Sequence, residues 1–272
     1  MSALSRESYA DATVRLAEVA NQSTVEQCIT LADEILAVAK LLKAQPRLRR
    51  ALTDPSRSGR ERSELARNLL TGKVGAATVD QFTALVASRW SAPSELLDAT
   101  ERLGVEAVLV SGARADELAE VEDELFRFGQ TVSANPQLAV VLSDPSATTE
   151  RRVKLVQDLL KGKVRAATGR LTEVALEGFG GRGFEASLTR LVELTAAKRD
   201  REVAYVTVAR LLDEADEQRL AAKLSDMYGR QVSLKVDVDP KVIGGISVRV
   251  GSDLYDGTIL RRLNEVRQAF AK

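Results

Sequence analysis

The sequence predicts a mainly α-helical protein in which two similar helical bundles precede a small α/β C-terminal domain. Three observations lead to this fold class. The 272-residue chain is 44% hydrophobic but only 4% aromatic, and its richness in Ala, Leu, Glu and Arg favours helix. One segment of the first half recurs in the second half. Alternating apolar residues, which are typical of strands, occur only in the last third.

The recurring segment starts at Ala44 and again at Ala134, an offset of 90 residues. Between Pro46 and Thr78, 16 of 33 positions are identical to those in the second stretch. Upstream, Asp11-Ala12-Thr13 matches Asp98-Ala99-Thr100 at an offset of 87, so the second copy has a three-residue insertion. A unit of this length is too long for a solenoid repeat and is better interpreted as a small domain. We therefore predict three domains, at residues 1–92, 93–182 and 183–272.

Each copy is predicted to be a helical bundle, because its apolar residues recur every three or four positions. Such faces are formed by Val25, Ala32, Ile35, Ala39 and Leu42, and by Leu118, Val121, Leu125, Phe128 and Val132. The Asp-Pro-Ser triplets at 54–56 and 144–146 should separate helices, since proline disfavours helix at the preceding residue. Ser58 and Glu61 have capping-box spacing, and Gly72 and Gly162 should end helices. A further helix is expected over Thr78–Trp90.

The pattern changes after Gly183. A helix over 184–198 should lead to a β-branched strand over 203–208, and a second helix is predicted over 214–228. Apolar and polar residues then alternate over 232–238 and over 246–250, as in half-buried strands. Asp256 or Thr258 is suited to cap a last helix. The predicted order is β-α-β-β-α.

Charge and residue types exclude several classes of function. Lys plus Arg equals Asp plus Glu, at 39 each, which argues against a nucleic acid partner. No run of about eighteen apolar residues is present, so we expect no direct membrane insertion. The chain has no histidine and a single cysteine, Cys28, and histidine is the commonest metal ligand and acid/base group. We expect no catalytic residue, metal, cofactor or small-molecule substrate.

Three smaller patterns have a structural interpretation. Gly178, Gly180 and Gly183 formally match a dinucleotide loop, but the preceding segment favours helix where that loop needs a strand, so we predict an inter-helix turn. Arg60-Glu61-Arg62 is interpreted as surface or interface charge. The acidic cluster should lie on the solvated face of an amphipathic helix; its members are Glu117, Glu120, Glu122, Asp123 and Glu124.

The tail over 236–270 resembles the C-terminal signature of the delta subunit of F-type ATP synthases, the family of the mitochondrial oligomycin-sensitivity-conferring protein. The matching residues are Asp239-Pro240, Gly244-Gly245, Asp256-Gly257 and Leu263, with Thr258 in place of the usual serine. The Pro-x-Leu and Asp-Pro-Ser segments of both copies resemble the family's N-terminal bundle, with Gln45 replacing an asparagine in the first copy. Residues 8–20 resemble its first helix. The usual subunit has one bundle, whereas this chain has two, as in the extended actinobacterial form.

This resemblance implies a non-catalytic peripheral-stalk (stator) subunit of a proton-translocating ATP synthase. Such a subunit links the catalytic alpha/beta hexamer to the b stalk, so that rotor torque is used for ATP synthesis. The implied partners are the alpha subunits and the b subunit, and the implied location is peripheral, at the cytoplasmic face of the cell membrane. A general helical adaptor outside the synthase is the alternative.

The resemblance also implies interface residues. An alpha-subunit helix is expected in a groove between the first and fifth helices, although each of these residues could equally be core: Tyr9, Ala12, Leu16, Phe82, Val86 and Trp90. The last helix would supply either the core of the C-terminal domain or a stalk contact, through Leu260, Leu263, Val266 and Phe270. The domains are expected to move about joints at Ser91–Ser94 and Gly178–Gly183. The sequence leaves open which bundle caps the hexamer.

Overall fold

The computed structural model describes residues 1–144, 146–240, 242–259 and 261. Within them it contains twelve α-helices and one four-stranded sheet near the C-terminus, which confirms the predicted fold class. The helices are α1 (Ala3–Asn21), α2 (Val25–Ala44), α3 (Pro46–Leu52), α4 (Gly59–Leu70), α5 (Ala76–Ala87), α6 (Pro93–Arg114), α7 (Leu118–Ala134), α8 (Pro136–Ser143), α9 (Thr149–Leu160), α10 (Ala166–Leu176), α11 (Phe184–Lys198) and α12 (Glu214–Tyr228).

Contacts group the chain into two compact units. Unit 1 comprises Met1–Val121 and Leu142–Ser187, and unit 2 comprises Glu122–Val141 and Leu188–Lys272. Unit 1 therefore contains all of the first repeat copy together with α6, α9 and α10 of the second. The predicted domain boundaries follow the repeat rather than these contacts, and they stay a prediction.

The repeat is reproduced helix by helix, since α1–α5 and α6–α10 have matching order. Gly72 and Gly162 adopt left-handed φ values of 76° and 71° at the ends of α4 and α9, a conformation that glycine reaches without the Cβ penalty of other residues. Both Asp-Pro-Ser turns are closed by a side chain: Asp54 Oδ1 accepts from the Ser56 N–H at 2.9 Å, and Asp144 Oδ1 from the Ser146 N–H at 2.8 Å.

Unit 1 is organised by the close approach of α6 to α2. The approach depends on Gly104 of α6, because a Cβ added there would lie 2.6 Å from Leu36 Cδ2 and 2.8 Å from Leu36 Cγ. The neighbouring Leu103 and Ala107 are each 1% exposed. Helix α6 opens the second copy but packs on α1 and α2 of the first, so it joins the two copies within one core.

Gly104→Val should therefore destabilise unit 1. Overpacking a tight contact typically costs about 1–3 kcal/mol, and here the added atoms would overlap Leu36. The urea midpoint of the full chain should fall with an unchanged slope. Gly169→Val is the matched control, since an added Cβ at Gly169 meets no neighbouring atom within 4 Å. Equal losses in both variants would show that the Leu36 contact does not set the effect.

Arg62 is inside unit 1, so its interpretation as a surface or interface charge is wrong. It is 6% exposed. Backbone carbonyls converge on the guanidinium from two sides, the end of α5 and the turn before α4. The carbonyls at the end of α5 have no partner within their own helix, so a cation there satisfies them. It donates to the carbonyl oxygens of Asp54, Arg57, Val86, Ala87 and Ser88 at 2.6–3.3 Å.

The connection between the two copies is packed rather than free. Ser91 donates its N–H to Ser5 Oγ at 3.3 Å, and its hydroxyl lies 2.7 Å from that of Ser2. Glu95, in the first turn of α6, accepts from the Ser2 N–H at 2.6 Å and from the Ser5 hydroxyl at 2.5 Å. These bonds hold the pKa of Glu95 below its usual value. The expected joint at Ser91–Ser94 thus lies inside unit 1, where Ser91 is exposed but hydrogen-bonded to Ser2 and Ser5.

Unit 2 is built on a sheet of strand order β2-β1-β3-β4. The strands are β1 (Arg201–Val208), β2 (Gln231–Val238), β3 (Ile246–Val250) and β4 (Asp253–Asp256). Strands β1 and β2 are parallel and joined through α12, whereas β3 pairs antiparallel with β1 and with β4. The predicted helix at 214–228 is confirmed and ends at Gly229, with φ 67°. Strand β4 is missing from the predicted order, because four residues are too few for alternation to show.

Glu122 of unit 2 is completely buried, so the prediction that it lies on a solvated face is wrong. Its Oε2 accepts from Arg199 Nη1 at 2.7 Å, and its Oε1 lies 2.9 Å from Lys235 Nζ. Lys235 is 5% exposed in its side chain and also donates to Asp123 Oδ1 at 2.5 Å. The two cations, brought from the end of α11 and from β2, allow the carboxylate to stay buried, since charges are stable there only when paired.

Candidate partner-binding surfaces

The six residues predicted to receive an alpha-subunit helix lie in α1, in α5 and just after α5. Five of them are buried, with exposed fractions of 0% to 8%: Ala12, Leu16, Phe82, Val86 and Trp90. Tyr9 is half-buried. Sequence reasoning thus identified side chains on elements that pack together in unit 1. They have the burial of core residues, and their assignment to a partner helix stays a prediction.

Helices α1 and α5 are fixed to each other by polar bonds. Gln81 Nε2 donates to the Ala12 carbonyl at 2.7 Å, and the Ser8 hydroxyl donates to the Arg89 carbonyl at 2.9 Å. Helix α5 ends at Ala87, before the predicted end at Trp90, and the Trp90 indole N–H donates to the Leu85 carbonyl at 2.9 Å. Buried polar groups with such partners rigidify the packing between α1 and the end of α5.

Tyr9 faces α6 within unit 1. Burial raises the pKa of its phenol to about 12, with a further increase from the Glu106 carboxylate and a smaller opposing effect from Arg102. Both charged residues belong to α6. The phenol is therefore neutral at physiological pH, and it contributes packing and hydrogen-bonding capacity but no charge.

A cavity of about 560 Å³ opens beside Trp90. It is lined by Arg50, Ala51, Thr53, Asp54, Pro55, Arg57, Trp90, Ser91, Ala92 and Pro93. The hydroxyl and N–H of Ser56 hold the pKa of Asp54 below its usual value. The lining comes from α3, the Asp-Pro-Ser turn and the connection to α6, and no single sequence motif brings these three segments together.

A second cavity of about 500 Å³ lies between α2 and α10, where the two copies meet inside unit 1. Asp33 of α2 accepts two bonds from the Arg170 guanidinium, at 2.6 and 2.8 Å. Lys40 Nζ lies 2.5 Å from Glu177 Oε1. We call these two pairs, Asp33 with Arg170 and Lys40 with Glu177, the α2–α10 seam. Because bidentate arginine–carboxylate pairs are geometrically specific, the Asp33–Arg170 pair should fix the register between α2 and α10.

The predicted C-terminal contact residues Leu260, Leu263, Val266 and Phe270 lie outside the described residues. Just before them, Thr258 Oγ1 accepts from the Arg261 N–H at 3.3 Å, as expected of a capping residue. Apolar side chains are exposed nearby on unit 2: Ile243 (57%), Leu254 (61%) and Ile259 (45%). These three residues mark the apolar surface of the described C-terminal part.

The glycine-rich segment that begins at Gly178 forms a turn after α10. Gly178 follows helix α10 rather than a strand, with φ 81°, which confirms an inter-helix turn. Across 1–144, 146–240, 242–259 and 261, no three His, Cys, Asp or Glu residues are grouped as a metal site would need. Among the helices of those same residues, none has both the length and the apolar content to cross a bilayer.

The family model for the ATP synthase delta (OSCP) subunit matches residues 105–270. The chain belongs to the ATP synthase delta (OSCP) subunit family. Among its relatives, the ATP synthase subunit delta of Salinispora arenicola (strain CNS-205) is 59% identical and aligns with 99% of this chain and 98% of its own. That of Salinispora tropica is 57% identical with the same coverage, and that of Streptomyces griseus is 42% identical over the full length of both chains. The predicted resemblance is confirmed.

The delta (OSCP) family match begins inside α6 and continues through α7–α10 and the C-terminal sheet. The part that fits the general family model is therefore the second copy with the C-terminal domain, whereas α1–α5 lie outside it. The three delta subunits named above nevertheless align with essentially the whole chain. The additional first copy is thus a shared property of these relatives.

Proposed function

We propose that this chain is the peripheral-stalk subunit that links the catalytic alpha/beta hexamer of a proton-translocating ATP synthase to the b stalk. The carrying observation is its membership of the delta (OSCP) family, supported by nearly full-length similarity to delta subunits. In this role the chain performs no chemistry. It holds the hexamer against the torque of the rotor at the cytoplasmic face of the membrane.

The contacts inside unit 1 support a load-bearing role. Helix α6 of the second copy packs on α1 and α2 of the first. Ion pairs of the α2–α10 seam form another contact between the two copies. A connector built of two loosely tethered bundles would stretch under load before transmitting it. Packed interiors have low compressibility and transmit strain, so a core that joins the first copy to α6, α9 and α10 of the second suits a stator.

We further propose which surfaces engage which partners. An alpha-subunit helix binds over α1 and α5, where Tyr9, Phe82 and Trp90 would support the contacted surface from beneath. An amphipathic helix in an apolar groove is a common mode of recognition. The C-terminal domain would engage the b stalk, through the surface that includes Leu254.

Affinity purification of the tagged full-length chain from membranes tests the link. We expect alpha and b subunits to co-purify. In membranes depleted of the chain, ATP hydrolysis should no longer drive proton pumping, and adding back the purified chain should restore coupling. Recovery of the chain without any synthase subunit, under conditions that keep the synthase assembled, would instead favour a general adaptor.

Cross-linking of the assembled enzyme tests the proposed alpha-subunit site. Cross-links from alpha-subunit N-termini should map to α1 and α5. If they map only to α6 and α10, the second copy caps the hexamer and the proposed surface is wrong.

A further inference from the structure

Helical glycines in this chain mark places where a leucine packs. Apart from Gly59, which starts α4, four glycines lie within α-helices of the described residues: Gly104, Gly112, Gly129 and Gly169. A Cβ added to the first three would lie 2.6, 3.2 and 4.0 Å from a side-chain carbon of Leu36, Leu118 and Leu188, respectively. At Gly169 of α10 an added Cβ would meet no such atom within 4 Å.

The first copy shows what Gly169 lacks. At the offset of 90 residues, its counterpart in α5 is Val79, which is 6% exposed. There Leu70 of α4 is buried, at 3% exposed. In the second copy, the corresponding Leu160 of α9 is half-buried, and its neighbour Leu159 is 37% exposed. The loss of the valine side chain thus coincides with apolar surface left uncovered on α9.

Leu160 and Gly169 both line a groove of about 400 Å³ between α9 and α10, and Leu159 is adjacent to Leu160 in sequence. Its lining residues, hereafter the α9–α10 groove, are Val156, Gln157, Asp158, Leu160, Lys161, Gly162, Val164, Arg165, Ala166 and Gly169. A glycine inside a helix is less stable than alanine by roughly 0.5–1 kcal/mol. In the other three cases a leucine contact accompanies the glycine, whereas Gly169 has no such contact among the described residues.

The charge around the groove indicates what would bind. Residues 149–176 contain seven Lys or Arg and three Asp or Glu, whereas the equivalent 59–86 contain four and three. Lys154, Lys161 and Lys163 are exposed and make no salt bridge with the described residues. Unpaired cations beside an apolar groove favour an anionic partner with a complementary apolar face.

We propose that the α9–α10 groove seats a leucine from an acidic amphipathic helix of another protein, with the leucine against Gly169 and carboxylates beside the lysines. The assignment of this helix to a subunit of the ATP synthase rests on the proposed function. The apolar and charged character of the α9–α10 groove does not depend on that function. Full burial of a leucine side chain contributes about 1.5–3 kcal/mol, and the glycine lets the partner backbone approach, as Gly104 does for α2.

Gly169→Val in the full-length chain tests whether the groove receives a leucine at Gly169. The substitution introduces the residue that occupies the equivalent position, Val79, in the first copy. The probe is a synthetic helical peptide with leucines at i, i+3, i+4 and i+7 and glutamates on its flanks. We expect the variant to unfold at the same or a higher urea concentration than the wild type, yet to bind the peptide at least tenfold more weakly. Undiminished peptide binding by the folded variant would overturn the proposal.

A second experiment tests whether the α9–α10 groove prefers an acidic peptide. A peptide with the same leucines but lysines on its flanks should bind the wild type at least tenfold more weakly, and the double substitution Lys161→Glu, Lys163→Glu should reverse this preference. Equal binding of both peptides to the wild type would refute the acidic partner.

The source of the helix is tested in the assembled synthase with a photo-crosslinking residue in place of Leu159. A cross-link to a helix of another synthase subunit supports the whole proposal. If the peptides bind as expected but no synthase subunit is cross-linked, the groove binds an acidic helix but that helix does not come from the synthase. If the complex is intact and the peptides do not bind, the proposed helix-binding groove is refuted and the proposed function is unaffected.

Discussion

Glu122→Gln should lower the free energy of unfolding of unit 2 by about 3–5 kcal/mol, the range for removing one member of a buried ion pair. The amide keeps the shape of the carboxylate but removes its charge. Among the described residues, Lys235, with 5% of its side chain exposed, would then retain only Asp123 as its anion. Glutamine has a single acceptor oxygen, so either Lys235 or Arg199 would face its NH2 group in place of a carboxylate oxygen. Hydrogen exchange of the β1 and β2 amides should speed up, because Lys235 lies on β2.

Two further variants separate the charge from the packing. Asp123→Asn should cost no more than about 1 kcal/mol, because Asp123 is 55% exposed and solvent screens its pairing with Lys235. The double substitution Glu122→Leu, Lys235→Met should recover part of the loss, since well-packed apolar residues can replace a buried ion pair at little cost. If Glu122→Gln and Asp123→Asn have equal effects, the buried network is not what stabilises this part of unit 2.

Local signals in the sequence were sufficient for much of the fold. The capping box at Ser58 and Glu61 is confirmed, with the Glu61 carboxylate accepting from the Ser58 N–H at 2.7 Å. The helix that ends at Gly229 is also where its periodicity places it. In both cases the interactions that decide the structure lie within a few residues of each other. Periodicity and capping therefore contain the necessary information.

Buried charge could not be predicted in this way. Glu122 is held inside unit 2 by Arg199, 77 positions further along the chain, and by Lys235, which lies further still. Arg62 depends on carbonyls 24 to 26 residues away. Neither partner is implied by the local pattern, in which both residues fall among other charges. Tertiary contacts decide such cases, so a run of charged residues does not by itself establish a solvated face.

The candidate surfaces were predictable to a similar extent. The motifs around Asp239-Pro240 and Gly244-Gly245 indicated the family, and the apolar residues of α1 and α5 were recognised as a unit. Their burial could not be derived, because it depends on packing between helices that are distant in sequence, such as α1 with α5 and α6. The difference between Val79 and Gly169 is present in the aligned repeats. It acquires meaning only when the structure shows the space that the valine side chain would fill.

Arg62→Met should destabilise unit 1 by at least about 3 kcal/mol. Methionine fills a similar volume but donates no hydrogen bond, so the carbonyls of Val86, Ala87 and Ser88 lose their charged donor. A hydrogen bond to a charged group contributes about 1.5–3 kcal/mol, and a buried acceptor without a partner adds a desolvation cost. The turn at Asp54–Arg57 should also loosen, because it is held by the same guanidinium.

The repeat offers an internal control for this prediction. Arg152 is the counterpart of Arg62 in the second copy, but it donates to one carbonyl, that of Leu142 at 3.0 Å, and to the Thr149 hydroxyl at 3.2 Å. Arg152→Met should therefore cost less than half as much in urea unfolding of the full chain. Arg62→Lys should fall between, because a lysine can reach only some of the five carbonyls. Equal losses for Arg62→Met and Arg152→Met would mean that arginine stabilises both copies by packing its aliphatic stem, and the convergent carbonyls would then contribute little.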